Sequence, residues 1–109
     1  MAYNLLLAKR IREALDALPG LQEKKMFGGV GYILRGNMAC GVLGDDLIVR
    51  IGLDEYKRAL KQPFTKPFDA YGKLMAGWIM VAAAGTENDE DLKTWVWRGV
   101  DFARTLPEK

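Results

Sequence analysis

Between Lys24 and Gly52 the chain reads KKMFGGVGYILRGNMACGVLGDDLIVRIG, three short apolar runs separated by turn residues, and this pattern limits what the chain can fold into. Val30 to Arg35 and Met38 to Leu43 flank Gly36-Asn37, and Leu47 to Ile51 follows Gly44-Asp45-Asp46. Gly and Asn take positive φ at small steric cost, and two such residues between β-rich runs are what a tight hairpin requires. The stretch predicts a β-meander. Alternation sets Val30, Tyr32 and Leu34 on one face and Gly31, Ile33 and Arg35 on the other. Met38, Cys40 and Val42 alternate in the same way with Ala39, Gly41 and Leu43, and Leu47, Val49 and Ile51 with Ile48 and Arg50. One face is larger and more apolar, so helices are expected to cover it.

The 109 residues are enough for one domain, residues 1–109, with a core that needs no staple. There is no histidine and no serine, which removes Ser-His triads, imidazole acid–base chemistry and His-containing zinc sites. No catalytic residue, cofactor or metal is expected. The single cysteine, Cys40, lies in an apolar strand and fits a reducing compartment. No apolar run reaches the length of a membrane span and no secretory leader is visible, so a cytoplasmic protein is expected. With 16 basic and 14 acidic residues the net charge is +2, too small to point to nucleic acid by itself.

Outside the meander, Tyr3 to Leu18 is expected as a helix, because Leu7, Ile11, Ala14, Leu15 and Leu18 recur at spacings of three and four, with Pro19-Gly20 as its stop. Lys24 to Phe27 is expected as an edge strand bent away at Gly28-Gly29. Asp54 is expected to cap a second helix ending before Pro63. Gln62 to Ala76 is read as an ordered loop with one short strand near Lys66 to Phe68, and Gly77 to Ala83 as a central strand. Either Thr86 with Asp89 or Asn88 with Asp91 caps the last helix, and the acidic run Glu87, Asp89, Glu90 and Asp91 suits a helix N-terminus better than a calcium loop. Leu92, Trp95, Val96, Gly99, Phe102, Ala103 and Leu106 then form its buried stripe. The expected fold is α+β and two-layered, an antiparallel β-meander covered by N-terminal and C-terminal helices, in the order α-β4-α-β(1-2)-α.

Four groups of residues are candidates for function, each beside a plainer explanation. Lys9, Arg10 and Arg12, with Lys24 and Lys25, form a candidate DNA contact or a solvated surface. Gly29-x-Gly31 resembles a phosphate loop but runs on into a strand, which favours close backbone packing. Arg50, Phe64, Phe68 and Tyr71 form a candidate small-ligand pocket, unless Arg50 pairs with Asp45 or Asp46 and the aromatics pin a loop to the core. Trp97, lying off the buried stripe towards Lys93 and Asp101, is expected to be exposed and is a candidate partner contact, either for another protein or in a homodimer.

KKMFGGVGYILRGNMACGV, DDLIVRIG, GKLMAGWIMV and DEDLKTWVWRGVDFARTLP, in that order and spacing, resemble the N-terminal domain family of TfoX, the bacterial competence regulator also called Sxy. The resemblance spans nearly the whole chain and implies an α+β fold with an antiparallel sheet. It also implies a link to the regulation of DNA-uptake genes, with a transcription regulator as the partner, and supplies no catalytic residues. Longer members carry a second, C-terminal domain, whereas this chain ends soon after its last helix and is expected to be a stand-alone N-terminal domain. The expected function is a non-enzymatic regulatory or protein-interaction domain; the alternatives are a DNA-contacting regulator using the basic residues and a small-ligand-binding domain.

Overall fold

The alternating runs of the meander become adjacent strands of one antiparallel sheet in a computed structural model, which describes residues 3–108 apart from 17, 27 and 71. Helix α1 (Leu5–Ala14) leads into strands β1 (Leu21–Met26), β2 (Gly29–Leu34), β3 (Asn37–Leu43) and β4 (Asp46–Arg50). Helix α2 (Leu53–Ala59), strands β5 (Thr65–Ala70) and β6 (Lys73–Val81), a 3-10 turn at Ala83–Gly85 and helix α3 (Asp89–Arg104) complete the order. The strands lie β1-β2-β3-β4-β6-β5 across the sheet. This is the expected α+β fold, with two strands between α2 and α3 as the expected order allowed.

Strand β5 takes in the short strand expected near Lys66 to Phe68, and β6 begins at Lys73 and not Gly77, so less of Gln62 to Ala76 is loop than expected. Pro67 is tolerated because β5 is an edge strand, where one side of the backbone has no ladder to complete, and Pro67 sits opposite Ile79 of β6. Strand β6 lies between β4 and β5, the inner place its continuous apolar run calls for. The other edge, β1, carries Lys24 and Lys25. Both edges therefore bear features that discourage pairing with another sheet.

The β2–β3 turn is Arg35-Gly36, at φ 52° and 86°, and not Gly36-Asn37. Leu34 pairs with Asn37, so the asparagine opens β3. Its side chain is buried and its amide donates to the Pro107 carbonyl at 2.8 Å, tying the chain beyond α3 to the sheet. Positive φ at both turn positions matches the sheet's own twist. Phe27, expected at the end of the edge strand, lies outside the described residues.

Helix α1 starts at Asn4, whose side-chain oxygen accepts from Leu7 N–H at 2.9 Å, and it ends at Ala14 rather than Leu18. The chain leaves it through successive turns, Leu18 N–H to Leu15 O and Leu21 N–H to Leu18 O. Helix α2 has no Asp54 cap. Ile51 and Gly52 both donate to Gly77 O, the chain kinks at Gly52, and Asp54 falls inside the first turn, where its charge still meets the helix dipole favourably. Of the two caps considered for α3, Asn88 is the one formed, accepting from Glu90 N–H at 2.7 Å.

The core fills the space between one sheet face and the helices. Leu7, Ile11 and Leu15 from the first helical segment meet Tyr32, Leu34, Cys40 and Val42 from the sheet, with Leu92, Val96, Val100 and Ala103 from α3. At its centre β3 bulges: Tyr32 pairs with Cys40 but Ile33 with Met38, leaving Ala39 unpaired. Helix α3 rests on this bulge, and a Cβ at Gly99 would collide with the Ala39 carbonyl.

A Gly99→Ala substitution sets two effects against each other. Alanine gains about 1 kcal/mol of helix propensity, while forcing the methyl against a backbone carbonyl costs about 1–3 kcal/mol. Backbone cannot swing aside as a side chain can, so the collision wins. Denaturant unfolding should give a less stable Gly99→Ala protein and a still less stable Gly99→Val.

Candidate functional site

Trp97 is half-buried, not exposed as its place on the helix suggested. Its indole N–H donates to the Ala14 carbonyl at 3.2 Å, and the Arg104 guanidinium lies 5.4 Å from the ring centroid. The last carbonyls of a helix need donors from outside it, and the indole supplies one to α1. Lys93 and Asp101 remain exposed, with Asp101 3.6 Å from Arg104. Trp97 thus joins two helices.

The basic candidates divide. Arg10 donates to the Thr86 carbonyl at 2.7 Å and pairs with Asp89 at 2.9 Å, fastening α1 to the entry of α3. Arg12 pairs with Glu23 at 2.8 Å, and the same carboxylate accepts from the Tyr32 hydroxyl at 2.6 Å. Lys9, Lys24 and Lys25 are exposed, and alternation along β1 sends Lys24 and Lys25 to opposite faces of the sheet. The five cations do not make one free basic face.

Of the candidate pocket, the structure brings together Arg50 and Phe68 through a residue the sequence reading did not single out, Trp78. Arg50 pairs with neither Asp45 nor Asp46: its guanidinium carbon lies 5.2 Å from the Trp78 centroid and 5.6 Å from that of Phe102. Phe68 approaches Trp78 with centroids 6.3 Å apart at 48°. Phe64 is exposed and sits apart, beside Gly85. Tyr71 lies outside the described residues. The signal for Trp78 was present in its alternation with Gly77 and Ile79, but a run apolar throughout hides which residues face which way.

Trp78 belongs to the sheet face opposite the helices. Register places Met26, Ile33, Met38, Ile48 and Met80 there too, and Ile48 and Met80 are buried yet stand outside the helix-covered core. Gly31 and Gly41 face each other across β2 and β3 and form a shallow trough. Met26 and Met38 lie over it, their methyl carbons 3.2 and 3.3 Å from where a Cβ of Gly31 would stand. The Gly29-x-Gly31 signal is therefore a packing feature.

A second concavity, a groove of about 560 Å³, runs between the start of α2 and α3 and is lined by Ile51, Gly52, Leu53, Asp54, Glu55, Arg98, Asp101 and Phe102. Arg98 lies over the Trp95 ring at 4.5 Å and donates to Gln62 Oε1 at 2.6 Å, and burial lowers its pKa. Burial likewise pushes the Cys40 thiol up to about 12, leaving it protonated and unreactive at neutral pH. Among the described residues no three His, Cys, Asp or Glu side chains are grouped to hold a metal, and no helix is long and apolar enough to cross a membrane.

The Arg12–Glu23–Tyr32 network carries a pH signature. Burial opposes ionisation of Glu23, but the hydrogen bonds from Tyr32 and Arg12 outweigh it and hold the carboxyl below its ordinary value. Tyr32 is raised, by burial first and by Glu23 second. A lowered folded-state pKa adds stability that is fully present above the ordinary value of 4.5 and is lost as pH falls through the folded value. Wild type should therefore exceed Glu23→Gln in unfolding free energy by a constant margin at neutral pH, and the margin should shrink on acidification below that value. Parallel pH profiles would contradict the network.

The family model for the TfoX N-terminal domain matches residues 13–103. No curated protein and no solved structure matches the chain significantly. The matched span begins in α1 and runs through the whole sheet into the last turn of α3, so it takes in the bulge, the glycine trough and Trp78. The chain belongs to the TfoX N-terminal domain family.

Proposed function

We propose that this chain is a non-enzymatic regulatory domain that holds a protein partner against the uncovered face of its sheet, as expected of a bacterial competence or transcription regulator working in the cytoplasm. The observation that carries this reading is that Ile48 and Met80 are buried on a face that no helix covers, beside partly exposed Met26, Ile33 and Met38. Methionine is unbranched and polarisable, so such a surface can reshape itself around a partner. With Lys24 and Lys25 on one edge and Pro67 on the other, strand addition is disfavoured and the face itself is the docking surface.

The remaining support is chemical. The chain has no histidine or serine to build a hydrolytic centre, and its net charge of +2 suits a protein partner better than duplex DNA. Arg10 and Arg12 are occupied in ion pairs, which weakens the DNA-contacting alternative. The free, buried Cys40 suits a reducing cytoplasm. Trp97, with Lys93 and Asp101, gives way as the partner contact because the indole is engaged by α1.

Affinity capture from native lysate after nuclease treatment tests this, comparing wild type with Ile33→Lys, a charge set in the methionine half of the face. Wild type should retain a defined protein, and Ile33→Lys, melting at the wild-type temperature, should bind it at least tenfold more weakly, as for a contact near the centre of an interface. Equal retention by both would contradict the assignment, as would a second copy of the chain being the sole occupant by gel filtration.

A further inference from the structure

The half of the uncovered face made by β4, β6 and β5 differs from the methionine half in chemistry, and the geometry points to single-stranded nucleic acid as its occupant. Arg50, Trp78 and Phe68 form a row of three planar groups on neighbouring strands, with spacings of 5.2 Å from guanidinium to indole and 6.3 Å from indole to phenyl. None of the three is fully buried, and Phe102 of α3 closes the Arg50 end of the row, 5.6 Å from the guanidinium. Lys66, exposed on β5 opposite Met80, flanks it. Over the regular part of the ladder, before the register shift that follows Pro67, alternation sets Arg50 and Lys66 on this face with Asp46 at the start of β4.

Planar groups in a row beside a few cations recognise one thing well: unstacked bases joined by phosphates. Bases stack on aromatic faces and on guanidinium planes, while cations follow the backbone. A duplex hides its base faces and offers this row nothing to stack on. An antiparallel sheet presents the row on neighbouring strands, so successive bases meet successive strands. The row borders the docking face at Ile48 and Met80 and shares none of Met26, Ile33 and Met38, so Ile33→Lys tests the protein-docking reading while Phe68→Leu and Lys66→Glu test this one.

The test is fluorescence anisotropy of fluorescein-labelled oligo-dT and oligo-U strands of fifteen nucleotides against the whole chain. Saturable binding is expected, with a log–log salt slope of about −1.4, the value for two phosphate contacts on a single strand. Phe68→Leu keeps apolar packing but removes the ring, and Lys66→Glu reverses an exposed charge; each should weaken binding about tenfold, with melting temperatures confirming that both variants fold. Three results would overturn the proposal: no saturable binding, equal affinity for a duplex of the same length, or full competition by free thymidine or uridine monophosphate at equal nucleotide concentration. Wild-type affinity in both variants would overturn it as well.

Discussion

The contact between α3 and the bulge of β3 fixes the positions of everything else. With no side chain at Gly99, the helix axis comes down until its backbone meets the Ala39 carbonyl, and the Val49 side chain packs alongside. This seating lowers Trp95 and Val96 into the core and carries Trp97 to the end of α1. The bulge itself is needed because a regular ladder would not raise Ala39 towards the helix. Both ends of α3 are then tied down, by Arg10 to Thr86 and Asp89 at its entry and by Asn37 to Pro107 beyond its exit. Arg10 is spent on this fastening and Arg12 on Glu23, which is why the cations of α1 and β1 do not add up to one basic face.

Placing the helices on one side leaves the other side to the sheet's own side chains. There the glycine trough is filled by thioethers, and the aromatic row by an arginine that has no acidic partner among the described residues. These are soft solutions: long, flexible side chains cover apolar surface without locking it. Such a face is stable when empty and adaptable when filled. Neither β1 nor β5 offers a clean strand edge, which supports the proposal that a partner docks on this face.

How much of this was legible in the sequence depended on whether a local rule or a distant contact decided. Strands β2 to β4 were legible because alternation and turn residues are local, and the turn was misplaced by one residue only because Asn37 is held inward by Pro107, a contact 70 positions away. The β5–β6 hairpin was legible only as a short strand near Lys66 to Phe68 and a later one from Gly77, since Pro67 argues against a longer strand unless the strand is known to lie at an edge. Asp54 failed as a cap because the Gly77 carbonyl captures the two amides before it. At the candidate site, Arg50 and Phe68 each approach Trp78, and that link was hidden because Trp78 sits in a run apolar on both faces. Trp97 read as exposed because helical position alone does not show that a second helix ends beside it.

Whether the second sheet face is open in solution is the point on which the functional account rests, and the chain carries its own reporters. Timed oxidation by dilute peroxide, with each methionine followed by mass spectrometry, compares partly exposed Met26 and Met38 with buried Met80 under native conditions. An open face predicts that Met26 and Met38 oxidise much faster than Met80 in the native protein, the difference vanishing on unfolding. If Met26 and Met38 are protected as strongly as Met80, the face is already covered and the account is wrong.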